Sequence, residues 1–192
     1  MGKVVVTQFV TLDGVIEDPG GSEGFDRGGW AFKFERGEEG DKFKLDEVMA
    51  ADGLLLGRIT YEGFAEAWPS RTGEFADKFN GMRKYVVSSS IAEPEWNNST
   101  VIRPDDIVDE VGKLREAAGG DILVNGSARL VETLVERDHV DEYRLMVFPL
   151  VIGAGKRLFG ETGAPKSLAL ASSQPVGSDG VVVLTYRPVP ES

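Results

Sequence analysis

Leu54-Leu55-Leu56-Gly57-Arg58-Ile59-Thr60-Tyr61-Glu62 decides how this chain is read. Three consecutive leucines with no alternation make a short strand buried on both faces, the pattern of a parallel sheet covered by helices. The strand gives way at once to a helical run that reaches Trp68. Gly57, between the two, lets the backbone turn tightly and approach a ligand. A helix that starts directly after a strand points its free N–H groups and positive dipole end outward, an arrangement suited to phosphate.

The same alternation extends in both directions. Residues 3–10 read as a first strand, and 14–40 as a long ordered loop rich in glycine and aromatics. Residues 41–51 have helical spacing, with Phe43, Leu45, Val48 and Met49 near one face. Strands are expected at 84–88, 100–103, 122–124 and 142–151. Asp105 or Asp106 caps a helix with Ile107, Val108, Val111 and Leu114 on one stripe. A further helix, 127–137, turns Leu130, Val131, Leu134 and Val135 inward, and 168–171 with 181–186 close a hairpin around Gly177-Ser178-Asp179-Gly180. The expectation is one α/β domain over 1–192: a mostly parallel central sheet, helices on both faces and an antiparallel C-terminal hairpin.

Composition narrows the function. The 192 residues carry a formal net charge of −11, which argues against a general nucleic-acid binder. There is no cysteine and a single histidine, His139, so disulfides and Cys- or His-cluster metal sites are excluded and no metal is expected. No apolar run has the length of a membrane span, and the N-terminus lacks the pattern of a signal peptide. A cytoplasmic protein with a small-molecule substrate, and no nucleic-acid or membrane partner, is expected.

In an open α/β sheet, ligands bind beyond the carboxyl ends of the strands. The residues there are Thr11-Leu12-Asp13-Gly14, Gly57-Arg58-Ile59-Thr60, Ser88-Ser89-Ser90, Arg103 and Asn125-Gly126-Ser127. Two of these segments open a helix, and Arg58 adds a permanently charged donor fork. Two phosphate corners and a serine run suit a ligand with separated phosphates, such as NADPH. Neither G-x-G-x-x-G after the first strand nor the Walker A spacing is present, so this is not a Rossmann or P-loop protein by motif. Asp13, after the first strand, and Asp41, opening the next helix, are the candidate catalytic acids. Trp30, Phe34 and Phe43 form either an aromatic wall for a flat heterocycle or a satellite core beneath the long loop.

Taken in order, Thr11–Gly14, the 54–62 stretch, Lys84-Tyr85-Val86-Val87-Ser88-Ser89, Ile122-Leu123-Val124-Asn125-Gly126-Ser127-Ala128-Arg129-Leu130, Val140-Asp141-Glu142 and Pro149-Leu150-Val151-Ile152-Gly153-Ala154-Gly155 resemble the dihydrofolate reductase superfamily. Within it, the chain is similar to the reductase domain of riboflavin biosynthesis and its stand-alone bacterial relatives. The resemblance implies an NADPH-dependent oxidoreductase acting on a pterin- or aminopyrimidine-like molecule. Gly57, Arg58 and Thr60 would hold the adenosine-side phosphates; Ser88, Ser89 and Arg103 would line the adenine and 2′-phosphate pocket. Asn125, Gly126, Ser127, Ala128, Arg129 and Leu130 would face the diphosphate and nicotinamide, while Thr11, Gly14 and Val15 would pass the nicotinamide ribose. The family has two glycines where this chain reads Asn125-Gly126-Ser127. The resemblance further implies a homodimer paired through the C-terminal sheet edge. The alternative is a non-enzymatic NADP(H)-binding or interaction protein that retains the fold.

Overall fold

The structure, a computed structural model, describes residues 1–160 and 164–189. Residues 161–163 and 190–192 of the expected 1–192 domain lie outside the described residues. Eight strands form one sheet: β1 (Val4–Thr11), β2 (Ala51–Gly57), β3 (Arg83–Val87), β4 (Ser99–Ile102), β5 (Asp121–Val124), β6 (Glu142–Phe148), β7 (Leu168–Val176) and β8 (Val181–Pro188). Their order is β4-β3-β2-β5-β1-β6-β8-β7. All neighbours from β4 to β6 are parallel, and β8 runs antiparallel to both β6 and β7. This is the expected α/β architecture, with the antiparallel edge supplied by the C-terminal hairpin.

Among the described residues, five α-helices cover the sheet: α1 (Gly37–Ala50), α2 (Arg58–Ala67), α3 (Glu74–Gly81), α4 (Ile107–Ala117) and α5 (Ala128–Glu136). On one face Val4, Val6 and Val10 of β1 pack with Ile107 and Val111 of α4 and Leu130, Val131, Leu134 and Val135 of α5. On the other, Val5, Leu54, Leu56 and Leu123 pack with Val48 of α1, Tyr61 of α2 and Phe79 of α3. The triple leucine is fully buried because both faces are covered. Each such side chain contributes about 1.5–3 kcal/mol.

Several boundaries differ from the sequence reading. The helix expected at 41–51 begins at Gly37, so Asp41 lies inside it and does not open it. Its inner face carries Glu47 and Val48, whereas Met49 is exposed. The strand expected at 142–151 stops at Phe148, β7 continues to Val176, and α3 was not anticipated. Asp106 stands at the start of α4, yet its side chain makes no capping bond.

Lys84 is buried at the lower end of β3. Its Nζ donates to the carbonyls of Asn80 and, at 3.1 Å, Asn97, and lies 4.2 Å from the centre of the Trp96 ring. Burial pushes its pKa down to about 8.

Candidate functional site

The C-terminal ends of β1, β2, β3 and β5 share one edge of the sheet because these strands are parallel. There the starts of α2 and α5 meet. The Gly57 N–H donates to the Gly126 carbonyl at 3.0 Å. A Cβ on Gly57 would lie against Ser127 Oγ, 2.9 Å from Ser127 Cβ and 3.0 Å from its N. Gly126 has φ 123° and a cis peptide bond to Ser127. A Cβ on Gly126 would fall 2.8 Å from Thr60 Oγ1. Neither Gly57 nor Ser127, the residues before α2 and α5, makes a side-chain cap, so capping leaves the first-turn N–H groups of both helices available. The result is a backbone cradle lined by the hydroxyls of Thr60 and Ser127.

Arg58 opens α2 with its guanidinium half-exposed. Its Nη1 meets both carboxylate oxygens of Glu62, one turn on, at 3.1 and 2.9 Å. Ser88 is buried, and its Oγ accepts the Ser90 and Ile91 N–H groups, so this hydroxyl builds the turn. Ser89 is exposed, and its carbonyl accepts from Arg103 Nη1 at 2.8 Å, which brings those two residues together. Asn125 is half-buried, with Oδ1 covered and unpaired. Ala128 and Arg129 lie in the first turn of α5, with Arg129 exposed. The Leu130 side chain belongs to the core and offers a ligand no side-chain surface.

The loop after β1 is closed on itself. Thr11 Oγ1 donates to Asp13 Oδ1 at 2.6 Å and accepts the Val15 N–H at 3.0 Å. Gly14 is bonded through both its N–H, to Thr11, and its carbonyl, to Leu158. Val15 is fully buried and its carbonyl takes the Thr11 N–H. Asp13 also accepts the N–H groups of Ile152 at 3.2 Å and Gly153 at 2.7 Å. The Thr11 hydroxyl, with the Gly153 and Ile152 amides, holds its carboxyl at about 2, so it is ionised at neutral pH. Asp13 therefore clasps the loop after β1 to the 152–153 segment. Asp41 is exposed and paired with Arg36 Nε at 2.6 Å, on the outside of α1; it too lacks the setting of a buried acid.

Trp30 is fully buried. Its Nε1 donates to the Glu17 carbonyl at 2.9 Å, and its ring meets Phe148 edge-on at 5.4 Å. Phe34 packs on the same phenylalanine and Phe43 on the same cluster. These rings form the satellite core, and Trp30 has no open face to wall a heterocycle. The loop beside them is organised from within by Asp18, which is 1% exposed. Its carboxylate accepts the N–H groups of Ser22, Glu23 and Phe25 at 2.8, 3.0 and 3.2 Å.

Sequence reasoning missed a polar group between α1 and the sheet. Thr7 Oγ1 donates to Glu47 Oε2 at 2.9 Å, and Lys44 Nζ reaches both, at 2.7 and 2.5 Å. Glu47 Oε1 is buried, unbonded and 3.7 Å from Arg144 Nη1. Lys44 and Arg36 lie 5.6 and 5.3 Å from the centre of the Phe9 ring. Thr7 and Gln8, two adjacent polar residues in the middle of a mostly apolar strand, were the available signal.

Two clefts lie away from this edge. One, of about 610 Å³, is lined by Asp52, Arg83, Tyr85 and Leu114. The other, of about 980 Å³, is lined by Tyr61, Asn80, Arg71 and Trp96. Neither is lined by any of the buried unpaired polar atoms. Among the described residues, no helix is long and apolar enough to cross a membrane, and no group of three His, Cys, Asp or Glu side chains is placed to hold a metal.

The comparisons agree with this fold. The chain matches the family described as RibD C-terminal domain over residues 2–182. It belongs to that family. It is 29% identical to the uncharacterized protein YyaP of Bacillus subtilis (strain 168) over 190 residues, 96% of this chain and 94% of YyaP. Its fold is similar to that of a Shewanella sp. PV-4 protein provisionally assigned to riboflavin biosynthesis, with TM-score 0.78, 21% identity and coverage of 99% and 100% of the two chains. It is also similar in fold to Enterococcus faecalis dihydrofolate reductase complexed with NADP(H), with TM-score 0.59, 15% identity and coverage of 97% and 96%.

Proposed function

We propose that the protein binds NADPH along the C-terminal edge of the sheet and reduces a planar pterin- or aminopyrimidine-like small molecule. The observation that supports this most directly is the junction of Gly57 and Gly126, where two helix starts share one backbone cradle. The residues present fit a dinucleotide phosphate. Glycine leaves room at both turns, the helix starts supply N–H donors, and Thr60 and Ser127 supply hydroxyls. On this reading Gly57, Thr60, Gly126 and Ser127 hold the diphosphate, with the backbone of Asn125, Ala128 and Arg129 alongside. Arg58 leaves Glu62 to meet the 2′-phosphate, and Ser89 with Arg103 receives the adenosine end.

NADPH supplies a hydride when bound, and the chain supplies orientation and exclusion of water. Asp13 fixes the loop of Thr11 and Gly14 against 152–153, which positions that loop beside the cofactor. The Thr7–Lys44–Glu47 group and the Phe9 ring, between α1 and the sheet, are the polar and apolar groups proposed to meet the substrate. With Asp13 clasped to the 152–153 segment and Asp41 ion-paired at the surface, solvent is the proposed source of the proton that balances hydride transfer. A role in riboflavin biosynthesis, a cytoplasmic setting and pairing of two copies along the β7 edge belong to the same proposal.

Calorimetry with NADPH and NADH tests the cofactor, and loss of NADPH absorbance tests turnover on dihydrofolate, other pteridines and reducible aminopyrimidine ribosides. Failure to bind NADPH overturns the reading. A second reading, an NADP(H)-binding protein without turnover, draws support from the absence of a poised acid at either Asp13 or Asp41. Tight NADPH binding with no reduction across the substrate panel favours it.

A further inference from the structure

Gln8 is a polar residue inside the most buried strand of the sheet, and it is only 7% exposed. Its Nε2 is covered and has no hydrogen-bond partner. A buried amide donor left unpaired costs stability, so its presence asks for an explanation outside the packing of the free protein. Its position offers one. In the parallel register of β1 and β5, Val6 stands opposite Val124. Two residues further along each chain come Gln8 and Gly126.

The space left by the missing side chain of Gly126 defines a point at the mouth of the cradle. That point lies 2.8 Å from Thr60 Oγ1 and 3.8 Å from Gln8 Nε2. A ligand oxygen placed there is at hydrogen-bond distance from the threonine hydroxyl. A small torsional adjustment brings the Gln8 amide within reach as well. The nine-residue helix α5 starts at the same place, with its first N–H groups uncapped by Ser127. The groups that converge on this point are donors, which selects an oxygen-rich anion.

We propose that Gln8 is a positioning residue of the cofactor site, and that its side-chain amide donates to a diphosphate oxygen of the dinucleotide seated against Gly126. This inference rests on the NADPH reading above. It adds a contact from the central strand, and it accounts for the one polar side chain that β1 buries without a partner on the α5 side of the sheet.

The test is Gln8→Met, which keeps length and removes the donor. Calorimetry compares wild type and variant with NADPH and with adenosine 2′-phosphate, which lacks the diphosphate. Thermal melting of the free proteins is followed in parallel. The expected result is NADPH affinity lowered by about 10-fold or more, the range of a hydrogen bond to a charged group. Adenosine 2′-phosphate affinity stays unchanged, and the free variant melts at the same or a higher temperature. If Gln8→Met folds poorly, Gln8→Ala is measured in the same way. Equal NADPH affinity in variant and wild type overturns the role of Gln8 and leaves the cofactor reading standing. Parallel losses for both ligands show general damage to the site and also overturn it. A wild type that binds no NADPH overturns the cofactor reading, and this inference with it.

Discussion

The backbone of Gly57 is hydrogen-bonded to the backbone of Gly126 across 3.0 Å, so the turn that opens α2 and the turn that opens α5 form a single unit. Neither helix start can shift without the other. Gly57→Ala places a methyl group against Ser127 and forces the two turns apart. Overpacking of this kind costs about 1–3 kcal/mol. The expected outcome is a folded protein by far-UV circular dichroism, a lowered melting temperature and NADPH affinity reduced by 10-fold or more on the order of one such hydrogen-bonded contact. An alanine variant with unchanged affinity would show that the junction serves the fold alone.

Arg58 is expected to favour NADPH over NADH. A charge-assisted bond to phosphate contributes roughly 1.5–3 kcal/mol. Leaving Glu62 offsets about 0.2–1 kcal/mol of that, as for any exposed ion pair. The net preference is on the order of 10-fold. Arg58→Ala should remove most of it while NADH affinity changes little. Titration calorimetry at two salt concentrations checks this, because screening should shrink the preference at high salt. Equal losses for both cofactors would place Arg58 away from the 2′-phosphate.

Asp13 makes a prediction about pH. Its carboxyl is held at about 2, below the ordinary value of 3.8, chiefly by the Thr11 hydroxyl. A depressed acid contributes stability above its unfolded pKa, and that contribution is lost as pH falls from near 4 towards 2. Asp13→Asn should therefore flatten the acid limb of a stability curve in that window and leave stability at pH 7–9 with no added slope. Hydrogen exchange at Ile152 and Gly153 should quicken. If turnover is found, the variant should retain more than about one-tenth of the rate, since loss of a general acid costs about 10²–10⁴-fold. A rate that collapses by that larger factor would restore Asp13 as an acid.

Lys84 acts at the alkaline end. Its ordinary pKa of 10.5 falls to about 8 through burial. Below pH 8 it is charged both folded and unfolded, and the cost of burying the charge is fully present. Between 8 and 10.5 the folded protein gives up the proton first, so stability rises with pH, by something on the order of 1–3 kcal/mol. Lys84→Met should lack this rise. Urea titrations of both proteins at pH 7.5, 9 and 10.5 decide the matter, and parallel curves would refute it.

The triple leucine, Gly57 and the stripe of α5 were legible because each is a local pattern with one physical meaning: burial on two faces, a turn, a helical period. The inner face of α1 was not. Val48 does turn inward as its spacing predicts, but Glu47 beside it turns inward too, towards Thr7 and Arg144, which apolar periodicity cannot register. Phe75 and Phe79 did carry a helical spacing for α3, where Phe75 stacks on Trp68 and Phe79 packs against it at a tilt, in a polar stretch. The function of Asp13 was hidden for a different reason. Its partners at 152–153 lie some 140 positions away in the chain. Only the fold brings them together, and the same contact lowers the pKa of the carboxyl.

The Asp18 carboxylate gathers three backbone N–H groups of one loop onto a single buried side chain. A segment held in this way is already ordered before any ligand arrives. Association then immobilises the ligand without also freezing a dozen backbone torsions, so the conformational-entropy penalty that accompanies coupled folding is absent. The heat-capacity change on binding should correspond to the contact area alone. Asp18→Ala releases the loop, and the same ligand should then bind with a larger negative heat-capacity change and a less favourable entropy, even where the final contacts are identical.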